Sequence, residues 1–167
     1  MLSFCQRFTM KEVIITIPHY QTLLLRHVVL DYNGTLAKDG VLKQDAKVLL
    51  GALGERFHVH VITSDTFGSV QTQMKGFNVT VKVLKTDNHT MEKAAYVYEL
   101  RANTCVAVGN GNNDADMLKD AVLGIALIGD EGCSTKSLMN SDIVCKSIDD
   151  ALELLLNEKR LIATLRK

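Results

Sequence analysis

His27-Val28-Val29-Leu30-Asp31-Tyr32-Asn33-Gly34-Thr35-Leu36 is the stretch on which the fold turns. An apolar run ends directly in a carboxylate, and Asn33-Gly34 then permits a sharp reversal, because Gly adopts conformations closed to other residues. In open α/β sheets ligands gather beyond the carboxyl ends of the strands, so Asp31 is placed as a nucleophile. Taken alone, the segment reads equally well as a hairpin turn with Asp31 as a turn residue. The neighbouring sequence decides between the two.

On either side, apolar and β-branched runs recur at Val13–Ile17, Leu23–Leu30, His58–Thr63, Val79–Leu84, Cys105–Val108, Leu123–Ile128 and Ile143–Cys145. Between them lie helical patterns at Gln44–Leu53, Phe67–Lys75, Thr90–Leu100, Asp114–Ala121, Ser134–Met139 and Asp149–Leu156, with Lys159–Lys167 adding a turn of helix. Strand–helix alternation predicts a mostly parallel sheet covered by helices on both faces, a three-layer α/β/α Rossmann-like fold.

The composition narrows the function class. With 167 residues, 47% hydrophobic and 23% charged, the chain is expected to form a single domain over 1–167, with 1–11 as a tail. Nineteen basic residues balance nineteen acidic ones without a basic stripe, which argues against a nucleic-acid partner. Pro18, His19, Gln21, Arg26 and His27 interrupt the apolar segment before Leu30, so no membrane span is expected. Cys5, Cys105, Cys133 and Cys145 form no Cys-x-x-Cys pair and read as free thiols, which points to a reducing cytoplasm.

Three further segments carry chemistry. Ile62-Thr63-Ser64-Asp65-Thr66 ends a strand with a hydroxyl that, with the first amides of the next helix, could bind a phosphate oxygen; taken alone, helix capping is the default reading. Lys93, inside the next predicted helix, supplies a positive charge to the same phosphate or is a solvated surface lysine. Val108-Gly109-Asn110-Gly111-Asn112-Asn113-Asp114 follows a buried-looking strand, and Asn110 and Asp114 offer the hard oxygen ligands that Mg²⁺ selects, although Asp114 is equally a helix cap. His58 and His60 alternate on one strand without further ligand spacing and read as packing or surface residues.

In this order, Asp-x-x-Gly-Thr, strand-Thr, helix Lys and Gly-x-Gly-x-Asn-Asp resemble the motifs of the haloacid dehalogenase superfamily from Val28 to Asp114. Within it, Asp31-Tyr32-Asn33-Gly34-Thr35-Leu36, Thr63-Ser64-Asp65 and Gly109–Asp114 are most similar to the phosphorylation domain of P-type ATPases. The resemblance implies that Asp31 is a nucleophile that becomes an aspartyl-phosphate, with Thr63 and Lys93 holding phosphoryl oxygens. It implies further that Gly34, Thr35, Ser64 and Asn113 line the substrate, that Asp31, Asn33, Asn110 and Asp114 surround Mg²⁺, and that a phosphorylated small molecule or phosphoprotein is the partner.

Two positions depart from that pattern. Asn33 stands where phosphatases of the superfamily carry a second Asp as general acid/base, and an amide neither gives nor takes a proton at neutral pH. Asn110 replaces an acid in the metal motif and lowers the charge available to a cation. A slow phosphohydrolase or phosphotransferase is therefore expected, with a non-catalytic phosphate- and Mg²⁺-binding regulatory module as the alternative. The segments 36–62 and 64–92 leave no room for a cap or nucleotide domain. The open site suggests a homo-oligomer in which the Lys38-Asp39-Gly40 hairpin of one chain approaches the site of another.

Overall fold

The computed structural model describes residues 11–167; the tail expected at 1–11 lies almost wholly outside them, as does Cys5. In chain order the elements are β1 (Val13–Thr16), β2 (Thr22–Leu25), β3 (His27–Asp31), β4 (Ala37–Lys38), β5 (Val41–Leu42), α1 (Gln44–Arg56), β6 (His58–Thr63), α2 (Ser69–Gln73) and β7 (Val79–Val83). They continue with α3 (His89–Glu99), β8 (Cys105–Gly109), α4 (Ala115–Asp120), β9 (Leu123–Leu127), α5 (Thr135–Met139), β10 (Ile143–Cys145), α6 (Ile148–Leu156) and α7 (Glu158–Leu165).

Six strands form one sheet in the order β10-β9-β8-β3-β6-β7, every neighbouring pair parallel. Alternation along the strands sends side chains to two cores. Val28, Leu30, Val59, Val61, Val106 and Val108 face α1 and α6, whereas Val29, Ile62 and Ala107 face α3 and α4. This is the three-layer α/β/α arrangement expected from the alternation.

The topology itself points to a site. From β3 the chain proceeds outward through β6 to β7, then returns to lay down β8, β9 and β10 on the other side. The direction of winding reverses between β3 and β8, and at such a switch point the crossovers diverge and leave a crevice at the strands' carboxyl ends. Asp31 ends β3, and the Asn110–Asp114 segment follows β8.

One element departs from expectation. The apolar run Leu23–Leu30 is two strands: β2 pairs antiparallel with β1 in a separate ribbon, and β3 enters the main sheet. Arg26 makes the break: its N–H donates to the Thr104 carbonyl at 2.9 Å, its carbonyl accepts from the His58 N–H at 2.9 Å, and its guanidinium pairs with Glu12. Thus a charged residue anchors a change of sheet that hydrophobicity alone does not reveal. The expected hairpin at Lys38-Asp39-Gly40 is present as β4 and β5, with positive φ at Asp39 (50°) and Gly40 (77°), as a two-residue turn requires. No inserted cap lies among the described residues. No helix among them is long and apolar enough to cross a membrane.

Candidate active site

Asp31, Thr35, Thr63, Lys93, Asn110 and Asp114 all come together at the carboxyl ends of β3, β6 and β8, and all are buried. A cavity of about 260 Å³ opens onto Asp31, Thr63, Lys93 and Asn110, lined also by Asn33, Ser64, His89, Asn113 and Glu131, whereas Thr35 and Asp114 lie behind its wall.

Lys93 organises the floor. Only 2% exposed, it reaches inward from α3 and donates to Asp31 Oδ1 at 2.7 Å and to Asp114 Oδ1 at 2.7 Å. A third bond at 3.3 Å goes to the Asn113 side-chain oxygen. The solvated-lysine reading is therefore excluded. The other Asp114 oxygen accepts from the Asn110 and Gly111 backbone N–H groups at 2.9 and 2.8 Å, so this carboxylate is buried but fully satisfied. Gly109 is required by that geometry, since a Cβ there would lie 2.5 Å from the Asp114 carboxyl carbon.

Asp31 is less well provided. Its Oδ2 accepts only from the Thr35 hydroxyl at 3.2 Å, and that same hydroxyl stands 3.3 Å from Asn110 Oδ1, so one proton serves two acceptors. Burial, reinforced by repulsion from Asp114, pushes the Asp31 pKa up despite Lys93. For Lys93, burial works against the charge, but Asp31 and Asp114 outweigh it and raise its pKa. The floor thus holds one positive charge against two carboxylates, and Asp31 bears the deficit.

The turn after β3 brings the third oxygen donor close. Gly34 has φ of 78°, and a Cβ on it would sit 2.6 Å from Asn110 Nδ2, so only Gly allows the β3 and β8 loops to approach this closely. Asn110 is fixed from its other end by donation to the Gly132 carbonyl at 2.9 Å. Asn33 is exposed at the mouth of the cavity.

The structure decides between the two readings of the second motif. Thr63 accepts from the Asp65 N–H at 3.0 Å, while the Asp65 carboxylate takes the Phe67 and Val70 N–H groups at 2.9 Å each. Helix α2 begins only at Ser69, and Asp65 already occupies amides that were candidates for phosphate. The capping reading holds for Asp65, leaving Thr63 and Ser64 to offer their side chains to the cavity.

His89 and Glu131 also line the cavity and were not singled out in the sequence. A usable signal existed for His89: it lies four residues before Lys93, hence on the same helical face. His60 turns out to be buried, its ring nitrogens 3.0 Å from His27 Nδ1 and 2.8 Å from the Tyr96 hydroxyl, in agreement with a packing role.

The residues fit a divalent cation in charge and donor type. Asp31, Asp114 and the Asn110 side chain present oxygen atoms around an uncompensated negative charge, the surroundings that Mg²⁺ prefers. No group of three His, Cys, Asp or Glu among the described residues is arranged to hold a metal, so amide and carbonyl oxygens and substrate would have to complete the shell.

No protein-family model matches the chain. An uncharacterized protein of Methanocaldococcus jannaschii is 62% identical over 61 residues, which is 36% of this chain and 66% of the relative, slightly under two thirds of its length. Solved structures are similar over much more of the chain. The 3-deoxy-D-manno-octulosonate 8-phosphate phosphatase of Moraxella catarrhalis, in complex with magnesium, phosphate and KDO, aligns with a TM-score of 0.62 at 18% identity over 85% of this chain and 94% of its own. The cobalt-bound phosphatase for the same substrate from Haemophilus influenzae aligns at 0.67 and 10% identity, covering 81% and 89%. A putative HAD superfamily hydrolase of Legionella pneumophila aligns at 0.64 and 17% identity, covering 83% and 87%. With its winding reversal at Asp31 and its parallel six-stranded sheet, the chain has the haloacid dehalogenase fold.

Proposed function

We propose that the protein is a Mg²⁺-dependent phosphohydrolase or phosphotransferase that works through an aspartyl-phosphate on Asp31. The observation that carries this reading is the buried Lys93 held 2.7 Å from both Asp31 and Asp114, one cation for two anions. A site left short of positive charge repels a phosphate dianion until a divalent cation joins it. Asp31, Asp114, the Asn110 side chain and the Asn33 carbonyl would hold Mg²⁺, which neutralises charge on the transferring phosphoryl group.

The chain's own residues supply the rest. Asp31, on the edge of the cavity, attacks phosphorus in line with the leaving oxygen, which points toward the mouth. Thr63 and Ser64 donate hydroxyl hydrogens to phosphoryl oxygens, and Lys93 turns toward the phosphate the N–H that otherwise goes to the Asn113 side chain. The substrate class is a phosphorylated small molecule, like the 3-deoxy-D-manno-octulosonate 8-phosphate of the Moraxella phosphatase.

Asn33 shapes the kinetics. Without a carboxyl group at position 33, both expulsion of a poor leaving group and attack of water lose that residue as a proton-transfer partner, a contribution worth about 10²–10⁴-fold each. Acyl phosphates, whose leaving group needs no proton, form the phosphoenzyme faster than it breaks down. The test is a rapid-quench assay with acetyl phosphate: a Mg²⁺-dependent burst and acid-stable label on Asp31 support the reading, and label that persists in Asp31→Asn overturns it. A non-catalytic phosphate-binding module is the second reading, favoured by the exposed amide of Asn33; it is supported by phosphate-analogue binding with no burst.

We propose further that the protein is a homo-oligomer. The β4–β5 hairpin is held on its own chain by Gln73 and Glu131, yet leaves Val41 66% exposed beside the mouth, where a second copy would cover it. A monomeric mass by light scattering at micromolar concentration overturns this.

A further inference from the structure

We infer that His89 is a catalytic residue of this site, the group that transfers the proton Asn33 cannot. The inference rests on the phosphoryl-transfer reading and extends it. Among the residues lining the cavity, four side chains are able to exchange a proton: Asp31 on β3, Lys93 and His89 on α3, and Glu131 in the turn after β9. The cavity-lining residues after β6 and β8, Thr63, Ser64, Asn110, Gly111 and Asn113, are uncharged.

Three of the four are committed. Asp31 is the nucleophile. Lys93 is bonded to two carboxylates whose charges hold its proton more firmly than in an ordinary lysine. Glu131 is exposed and accepts from the Asp39 N–H of the hairpin at 3.2 Å. His89 is half-buried, and among the described residues its ring has no hydrogen-bond partner.

Its placement suits the task. One helical turn from Lys93 along the same face, His89 stands about 5–6 Å from it at the Cβ atoms, on the side of the mouth. Lys93 reaches the Asp31 carboxylate at the floor, and an in-line leaving group must depart opposite that carboxylate, into the cavity that His89 lines. The position is rigid: Asn88 Oδ1 accepts from the Met91 N–H at 3.1 Å, and the Glu92 carboxylate takes the N–H groups of Lys85 and Thr86. Imidazole also carries both a ring N–H donor and a ring nitrogen acceptor, which suits it to pass a proton in either direction.

In the first step Asp31 forms a bond to phosphorus, the bond to the leaving oxygen breaks with its electron pair on that oxygen, and the imidazolium N–H proton moves there. In the second step the neutral imidazole takes a proton from water as the water oxygen bonds phosphorus. The Asp31–phosphorus bond breaks, releasing inorganic phosphate and restoring the carboxylate and the imidazolium.

The experiment follows decay of the phosphoenzyme formed from acetyl phosphate and Mg²⁺. His89→Ala is expected to slow decay about 100-fold, with added imidazole, but not chloride salt at equal ionic strength, restoring the rate. His89→Gln, which keeps polarity and bulk but carries no transferable proton, is expected to slow decay equally and, unlike His89→Ala, to resist rescue. Decay at the wild-type rate in both variants, or no response of His89→Ala to imidazole, overturns the role of His89 while leaving the aspartyl-phosphate intact. Absence of label on wild-type Asp31 overturns the phosphoryl-transfer reading itself and His89 with it.

Discussion

Two polar clusters, each with a buried polar side chain at its centre, stand on the same face of β3 and β6, one at each end, and both are completed by α3. At the carboxyl end Asp31 meets Lys93 and Asp114; toward the amino end His27 and His60 meet Tyr96, one turn along the helix from Lys93. The amino-end cluster is neutral and internally paired: each His60 ring nitrogen has a partner, and burial pushes its pKa down to about 4, so it stays uncharged at neutral pH. The carboxyl-end cluster is ionic and unbalanced. Burial of polar groups is common to both, so burial by itself does not mark a functional site. Unfinished charge compensation does, because the cost of leaving it unfinished is met only when a ligand arrives.

The largest test breaks the ionic cluster. Lys93→Met leaves two buried carboxylates facing each other, and urea denaturation is expected to show a loss of about 3–5 kcal/mol. Saturating Mg²⁺ should recover more stability in this variant than in the wild type, and equal recovery would contradict the charge account.

Next in size is the response of the neutral cluster to acid. The folded-state pKa of His60, about 4, lies below its ordinary value of 6.5, so between those values the unfolded chain binds more protons and stability falls as pH falls. The loss is on the order of 3 kcal/mol across this window and levels off below it. Asp31 titrates with the opposite sign, since its pKa is raised on folding, so the measurement is best made in Asp31→Asn. His60→Phe should flatten the remaining dependence.

A smaller effect distinguishes the clusters directly. Asp31→Asn removes the undercompensated charge and is expected to raise stability by about 1 kcal/mol at pH 8 while abolishing phosphoenzyme formation. The gain should shrink on acidification, because the wild-type carboxyl then takes up a proton. Thermal melts at pH 8 and pH 5 check both statements.

The smallest is a control outside both clusters. Phe67 is 98% exposed in the turn that Asp65 organises, and Phe67→Ser should change stability by less than about 0.5 kcal/mol. A larger loss would mean that this ring is covered in solution, as an oligomer would cover it.

Much of the carboxyl-end cluster was legible because its residues follow directly on apolar runs, and strand ends are where an α/β sheet puts its chemistry. Asp31, Thr63 and Asn110 are all of this kind, and Asp114 closes the Gly/Asn-rich turn that follows β8. Lys93 was legible as a site residue but not as the shared partner of two carboxylates, since its contacts join residues far apart in sequence. The amino-end cluster was only half legible: alternation puts His58 and His60 on one face, but burial of His60 depends on Tyr96 arriving from α3. The break at Arg26 was hidden for a similar reason, its partners being Thr104 and His58. The segment around Asp65 was legible as a cap, its default reading, while the anion-binding alternative stayed open because the same residue types cap a helix and bind an anion.

The two Asn-Gly pairs of the site give the protein a chemical memory. Deamidation at such a pair needs the Gly nitrogen to attack the Asn side chain, and in the folded chain both nitrogens are engaged. Gly34 N–H donates to the Ala37 carbonyl at 3.0 Å and Gly111 N–H to Asp114 Oδ2 at 2.8 Å. The native fold therefore protects Asn33 and Asn110 from ageing, whereas each excursion to the unfolded state exposes them. Isoaspartate found by peptide mapping at these two positions would record how long a preparation had spent unfolded.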